Sequence, residues 1–408
     1  MNNSGGTPEL ETSIGTPSTT AKTISWATPV DSTLDPAVGA NIAISTIDST
    51  RFLVTYKENS TNHLKSVVVT YDTSANSVSF GTPSTIASSA VGTVIRAARD
   101  TTTTSSAASR FKTVIAYTKG TDLHARALTI HNGTNAITLG TETSALNSQT
   151  LTTTRPVFDL VHYGLEEAWL LVCSESATNN FFQVLNTASS GPNNVNITAN
   201  NKSSFLSSGT DVDVNLRVIE GLRNTTTTHN SVIVVYNSGS DIKAKTIYIG
   251  NTPGVYSTVA SNAKAEQTVV TGKTATSMTL GLDSTSREVF LFASTSDNKG
   301  KVNRAVVDGE TTSWKPFIEV INTNTNIGGY NVLYDTLSKQ WLWTTSKVSE
   351  VVKYNLVTLG AGLLESDEGF TYKYTIDWGD GSDPQTIEND DPAVHQYATP
   401  GDYTVIIS

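Results

Sequence analysis

The stretch Arg51-Phe-Leu-Val-Thr-Tyr56 decides the fold, because the chain writes it six times in different letters. It returns as Phe111-Lys-Thr-Val-Ile-Ala-Tyr117, Trp169-Leu-Leu-Val-Cys173, Val232-Ile-Val-Val-Tyr236, Val289-Phe-Leu-Phe-Ala293 and Trp341-Leu-Trp-Thr344. Each run is short, apolar and rich in β-branched and aromatic residues, and polar turn formers follow it. Runs of that length and composition form buried strands rather than helices. Taken at their last residues, the copies lie 61, 56, 63, 57 and 51 positions apart. A repeat of that period holding several strands predicts the blades of an all-β propeller.

Working outward, a second element recurs. Thr23-Ile-Ser-Trp-Ala-Thr-Pro29 matches Ser77-Val-Ser-Phe-Gly-Thr-Pro83 closely and Ala136-Ile-Thr-Leu-Gly-Thr141 more loosely. In the later copies it ends a unit, yet at 23–29 nothing precedes it that it could complete. The sixth unit ends with Val351-Val-Lys-Tyr-Asn-Leu-Val357 and has no such element after it. The expectation is therefore a ring in which strand 23–29 completes the last blade, removing two exposed strand edges. Six blades fit best, with five and seven left open and a series of β-sandwiches as the alternative fold. The units are placed at about 39–89, 90–146, 147–208, 209–270, 271–321 and 322–360, within a propeller spanning 21–361. Residues 1–20, rich in Gly, Ser, Thr and Pro, are read as an extended arm.

Composition separates the end of the chain from the rest. Residues 362–408 carry ten acidic groups against Lys373 alone, −9 of the total net charge of −10. That shift predicts a distinct acidic module at 362–408. Neither part offers a basic face, which argues against nucleic-acid binding. No apolar run is long enough for membrane insertion, and the start of the chain has no secretory leader pattern, so synthesis in a cytosol is expected. The lone Cys173 sits inside an apolar strand and reads as a small core residue.

The acidic module carries the sharpest motif. Tyr374-Thr-Ile-Asp-Trp-Gly-Asp-Gly381, then Val394-His-Gln-Tyr397 and Gly401-Asp-Tyr-Thr-Val-Ile-Ile407, resembles the PKD-type Ig-like module. The resemblance covers about the last 35 residues, and the stretch before the motif is shorter than a full module of that family has. It implies an Ig-like β module built on Trp378, Gly379, Asp380, Gly381, His395 and Tyr397, with a binding or spacer role and no catalysis. Asp377, Asp380 and Asp383 are candidate calcium ligands, because hard oxygen donors crowd one loop. The competing reading has Asp380 hold the turn by side-chain bonds to the backbone. No other cofactor is expected.

Chemistry elsewhere is sparse. The six histidines have no metal-ligand spacing, and the few arginines show no clustering along the chain. Sialidase-type propellers resemble one another through Ser-x-Asp-x-Gly-x-x-Trp boxes and an arginine cluster. Here Ser294-Thr-Ser-Asp-Asn-Lys-Gly300 lacks the Trp and has no second copy. Trp26, Trp314, Trp341 and Trp343 are candidate sugar-stacking platforms, weighed against core packing between blades. The repeat style resembles appendage proteins of tailed phages. The reading that joins these points is a non-enzymatic virion protein, a tail fibre, head fibre or similar appendage. Its partners would be other virion proteins and host-surface glycans, and homo-oligomerisation is left open. The alternative is a bacterial extracellular propeller that binds or hydrolyses glycans.

Overall fold

The computed structural model describes residues 11–12, 15–18, 23–26, 30–32, 34–37, 42–101 except 73, 76 and 90, 110–146 except 145, 157–163, 167–187 except 177–178, 195–206, 212–223, 229–250, 265–308 except 284–287 and 298, 311–321 except 317, 327–335, 340–347, 353–357, 373–388, 395, 404 and 406–407. The chain divides into two compact units, Met1–Gly360 and Ala361–Ser408. Every regular element among the described residues is a strand.

In the first unit, six antiparallel sheets follow one another in chain order. The first holds Ala43–Thr46, Arg51–Lys57, Leu64–Asp72 and Ser77–Phe80, and the second Val91–Arg99, Arg110–Lys119, Asp122–His131 and Ile137–Leu139. The third begins with Val157–His162, Ala168–Ser176 and Asn179–Asn186. The fourth holds Val212–Arg223, His229–Ser238, Asp241–Gly250 and Gln267–Val270, and the fifth begins with Ala275–Asp283, Glu288–Thr295 and Gly300–Asp308. The sixth has three described strands, Ile327–Asp335, Gln340–Lys347 and Lys353–Val357. In each sheet the six-fold apolar stretch is the second strand, which pairs with a neighbour on both sides.

The apolar layers show how the sheets stack. One layer joins Leu53, Leu64 and Val68 of the first sheet to Ile115, Tyr117 and Leu128 of the second. The next joins Val114 and Ala116 to Trp169, Leu171 and Cys173. A third joins Leu170, Val172 and Phe182 to Val232, Val234 and Tyr236, and a fourth joins Ile233 and Val235 to Val289 and Leu291. Alternate residues of one strand thus serve two different layers, because successive side chains on a strand point to opposite faces. This is why the runs are continuously apolar instead of alternating. The first strands of successive sheets also lie side by side in order. The first unit is a β-propeller.

The outer strand is more interesting than its sequence suggests. Ser77–Phe80 and Ser84–Ala87 both pair with Leu64–Asp72, so the outer strand is one line broken at Gly81-Thr82-Pro83. The third sheet repeats the break with Thr198–Ala199 and Ser203–Ser204, and the fifth with Thr311–Trp314 and Ile318–Ile321. At each break one backbone N–H still reaches the third strand: Gly81 to Val68, Gly140 to Ala127, Asn200 to Val184 and Lys315 to Arg304.

The expected closure is corrected in its detail. Thr23–Trp26 pairs with Gly15–Ser18, and among the described residues it has no ladder to Lys353–Val357. The arm of 1–20 accordingly carries strands, Glu11–Thr12 and Gly15–Ser18, the former paired with Val30–Asp31. The local hairpin spans only residues 19–22, whereas pairing with the sixth sheet closes a loop of most of the chain, and closure entropy favours the short one. The outer face of the first sheet is packed instead by Leu34, which joins Val54, Tyr56, Val67 and Val69.

The second unit contains a three-stranded sheet in the order Gln385–Glu388, Lys373–Asp377, Ile406–Ile407.

Candidate functional site: the hairpin end and inner edge of the propeller

At the end of each second strand the chain turns back into the third, and one cross-strand slot recurs there. It is filled by Tyr56 and Lys65, Tyr117 and His124, Cys173 and Phe181, Tyr236 and Lys243, and Ala293 and Lys301. Beside each slot stands a carboxylate paired with lysine. Glu58 pairs with Lys65, Glu142 with Lys119 at 3.3 Å, and Glu175 with Lys202 at 3.9 Å. Glu266 pairs with Lys243 at 2.7 Å, and Asp297 pairs with Lys273 and, at 3.2 Å, with Lys301. The carboxylates come from different elements. Glu58 follows the second strand and Glu175 lies within it, whereas Glu142 follows the outer strand Ile137–Leu139 and Glu266 precedes the outer strand Gln267–Val270. Five sheets therefore reach the same arrangement by different routes.

The tyrosines complete it. Tyr117 donates its hydroxyl proton to Glu142 Oε1 at 2.5 Å, and Tyr236 donates to Glu266 Oε2. Burial first, and then the accepting carboxylates, push both phenols far above their ordinary range. Burial, with help from Glu58 and Asp35, pushes Tyr56 up to about 12. Burial alone would raise Glu142 and Glu266, but the phenol and lysine donors outweigh it and hold both below the usual carboxylate range. Glu58 and Asp297 are lowered in the same way by their lysine and threonine donors. His124 stacks on Tyr117 with ring centres 5.8 Å apart, and burial lowers its pKa against the pull of Glu142. Lys119 and Glu142 are about a third exposed (33% and 28%), and the Glu58 and Glu266 pairs are also partly open, whereas Glu175, Lys301 and the tyrosines are buried.

A different arrangement lies on the first strands. Arg96 of the second sheet holds Asp159 of the third, Nε to Oδ1 at 3.0 Å. The other oxygen of Asp159 accepts the backbone N–H of Val218 in the fourth sheet at 2.9 Å, and Arg217 is the neighbouring residue. Each arginine also donates Nη1 to the carbonyl before it, Arg96 to Ile95 at 2.9 Å and Arg217 to Leu216 at 2.8 Å. Burial lowers Arg217 to about 10, the charge of Arg96 pushes the same way, and Asp159 opposes them. One carboxylate thus bonds Arg96 directly and acts on the Arg217 guanidinium through space. The expectation of unclustered arginines is corrected here, since Arg96, Asp159 and Arg217 occupy equivalent places in successive repeats. They stand opposite Ala116, Val172 and Val235, each one residue before the end of its repeated stretch. Their spacings of 63 and 58 match the repeat period, a signal that could have found them.

A third cluster joins the second and third sheets. His162 Nε2 lies 3.0 Å from Asp100 Oδ1, and its Nδ1 lies 3.0 Å from the Thr101 hydroxyl. The second oxygen of Asp100 accepts the N–H of Glu167, and Trp169 Nε1 donates to Ala98 O at 2.9 Å. His162 is buried, and every contact in the cluster crosses from one sheet to the next or braces such a contact. Cys173 is likewise fully buried, and burial pushes its thiol far up, which leaves it an inert core residue.

The remaining candidates fall as follows. Trp314 is half-buried and packs on the layer between the fourth and fifth sheets. The side chains of Trp26, Trp341 and Trp343 lie outside the described residues, as does Tyr397. In the second unit Trp378 and His395 stack with ring centres 4.9 Å apart, and His395 Nε2 meets Asp380 Oδ2 at 2.7 Å. Asp380 also accepts from Ser382, and Asp377 accepts the N–H of Gly379 at 2.9 Å. Gly379 and Gly381 have φ of 75° and 81°, the left-handed region that favours glycine. No group of three or more His, Cys, Asp or Glu side chains suited to a metal is present among the described residues.

No family model matches the chain, and no curated protein matches its sequence. Solved structures of similar shape include a protein provisionally named 6-phosphogluconolactonase from Bacteroides uniformis, at 12% identity, TM-score 0.46, covering 86% of this chain and 96% of that one. Another is the fucose-specific lectin from Aleuria aurantia, at 9% identity, TM-score 0.38 and coverages of 78% and 95%. A third is the GH93 α-L-arabinofuranosidase of Fusarium graminearum, at 7% identity, TM-score 0.43 and coverages of 79% and 96%. At such scores these likenesses add nothing to the strand topology.

Proposed function

We propose that the chain is a non-enzymatic surface protein whose propeller binds carbohydrate at its hairpin end. The observation that carries this reading is the recurrence of a lysine–carboxylate pair at one slot of five successive sheets. The partly exposed pairs at Glu58, Glu142 and Glu266 offer N–H donors and oxygen acceptors side by side with little net charge, which complements the vicinal hydroxyls of a sugar. Copies spaced around a propeller suit a polymer of repeating units, because each further contact is made at high effective concentration.

Binding is favoured over hydrolysis by the state of the carboxyl groups. Glu58, Glu142, Glu266, Asp297 and Asp380 are all held below their ordinary range. A glycosidase needs a carboxylic acid raised so that it can protonate the leaving oxygen. The setting proposed is a virion appendage of a tailed phage, with other virion proteins as partners and an exported bacterial protein as the other setting. It is supported by the Ser/Thr-rich, weakly charged repeats and by the Trp-Gly-Asp-Gly turn of the second unit.

The test is a polysaccharide array probed with the full chain, followed by product analysis on every polymer bound. Retention of at least one polymer with no new reducing ends is expected. Release of oligosaccharides would overturn the non-enzymatic reading, and an array without retention would overturn the carbohydrate reading. Detection of the chain in purified particles by mass spectrometry tests the setting.

A further inference from the structure

The inner-edge cluster joins three sheets through charges that do not balance. At the hairpin end Lys273 and Lys301 both bond their shared Asp297 directly, whereas Asp159 bonds Arg96 and acts on Arg217 only through space. One oxygen of Asp159 is taken by Arg96 and the other by the backbone of Val218. Oδ1 also accepts the N–H of Leu160 at 3.0 Å, and among the described residues Asp159 makes no direct contact with Arg217. Arg217 is partly buried and gives Nη1 to Leu216, with no carboxylate partner among the described residues. A sequestered guanidinium without a full counter-charge is costly, and the cost falls if an anion joins it. A guanidinium presents paired N–H groups in a plane, the geometry that receives a carboxylate. Arg96 keeps 18% of its side chain exposed, so the group is reachable from solvent.

We infer that Arg96 and Arg217, set apart by Asp159, form a binding site for the carboxylate of an acidic sugar at the inner edge of the second to fourth sheets. The inference rests on the carbohydrate reading for the identity of the ligand, and on the cluster's geometry for its charge. Asp159 then has two roles. It keeps the arginines from repelling one another in the empty site, and it competes with the ligand for them.

The dual role gives substitutions of opposite sign. Sodium glucuronate is titrated into the full chain by calorimetry, with glucose as the uncharged control. The wild type is expected to bind glucuronate saturably and glucose not at all. Arg217→Gln, which leaves the Arg96–Asp159 pair intact, is expected to weaken glucuronate binding about tenfold. Asp159→Asn is expected to tighten it severalfold in whatever fraction remains folded, since the internal competitor loses its charge. Absence of saturable glucuronate binding by the wild type, or unchanged affinity in Arg217→Gln with its fold verified by circular dichroism, would overturn the site. Polymers retained on the array while glucuronate fails would sink this site and leave the carbohydrate reading standing. Arg217-dependent glucuronate binding with an empty array would keep the site and sink that reading.

Discussion

The hairpin end and the inner edge of the propeller are made of the same kinds of group and solve different problems. At the hairpin end, a lysine–carboxylate pair recurs in five sheets, joined by a phenol in the second and fourth, where the pair is neutralised locally and partly wet. At the inner edge, one trio occurs once and links three sheets through a single carboxylate. A feature that repeats with the fold can lose one copy and keep the rest. A feature that occurs once carries its whole burden on one residue.

Substitution should expose that difference most strongly at Asp159. Asp159→Ala strands Arg96 and Arg217 without a counter-charge and frees the N–H of Val218, so a loss of about 3 kcal/mol in denaturant unfolding is expected. A loss below that of a single hairpin-end pair would erase the distinction. Next comes Gly140, which belongs to the repeated outer element but touches a different sheet. A Cβ there would sit 2.0 Å from the carbonyl oxygen of Val195, so Gly140→Ala should cost about 2 kcal/mol through backbone displacement. The equivalent Gly81 would place its Cβ 3.1 Å from Val68 O within its own sheet, and Gly81→Ala should cost about half as much. Equal midpoints for the two variants would mean that the Gly140 contact between sheets is slack.

Removing one copy at the hairpin end is expected to matter less. Glu142→Gln keeps the shape and loses the charged acceptor of Tyr117, at a cost of about 1 kcal/mol by the same unfolding measurement. Polysaccharide binding should fall slightly and not vanish, because four copies remain.

Acid provides a graded version of the same comparison. Glu58, Glu142 and Glu266 have folded pKa values below the ordinary 4.5. Their contribution to stability is therefore complete above pH 4.5 and is lost as pH falls through the lowered values. In the second unit Asp380 is lowered to about 2, first by its bond from Ser382 and then by His395. That contribution is present above pH 3.8 and disappears as pH falls through about 2. Trp378 stacks on His395, so its fluorescence should report the later loss. A Trp378 change completed above pH 4 would show that Asp380 does not hold the turn.

Much of the fold could be read from particular residues. The six apolar stretches become the second strands of six sheets, since burial on both faces demands an unbroken apolar run. Cys173 in the core follows from the same logic. The 23–29 element was legible as a strand and illegible as to partner: an edge strand can pair with whatever edge is near, and the near one was Gly15–Ser18. Of the site, the acidic turn at 377–383 was legible, and the structure adds which donors engage Asp377 and Asp380: Gly379, Ser382 and His395. The cluster of Arg96, Asp159 and Arg217 was hidden because its residues lie far apart along the chain and meet only across repeats.

The sequence by itself determined that this is a repeated all-β chain with an acidic, turn-rich end, because strand length, apolar runs and glycine turns are local properties. Only the tertiary structure decided which charges meet. Ion pairs depend on the stacking of sheets about 60 residues apart, and one residue of register decides whether Arg96 and Arg217 face Asp159 or the opposite layer.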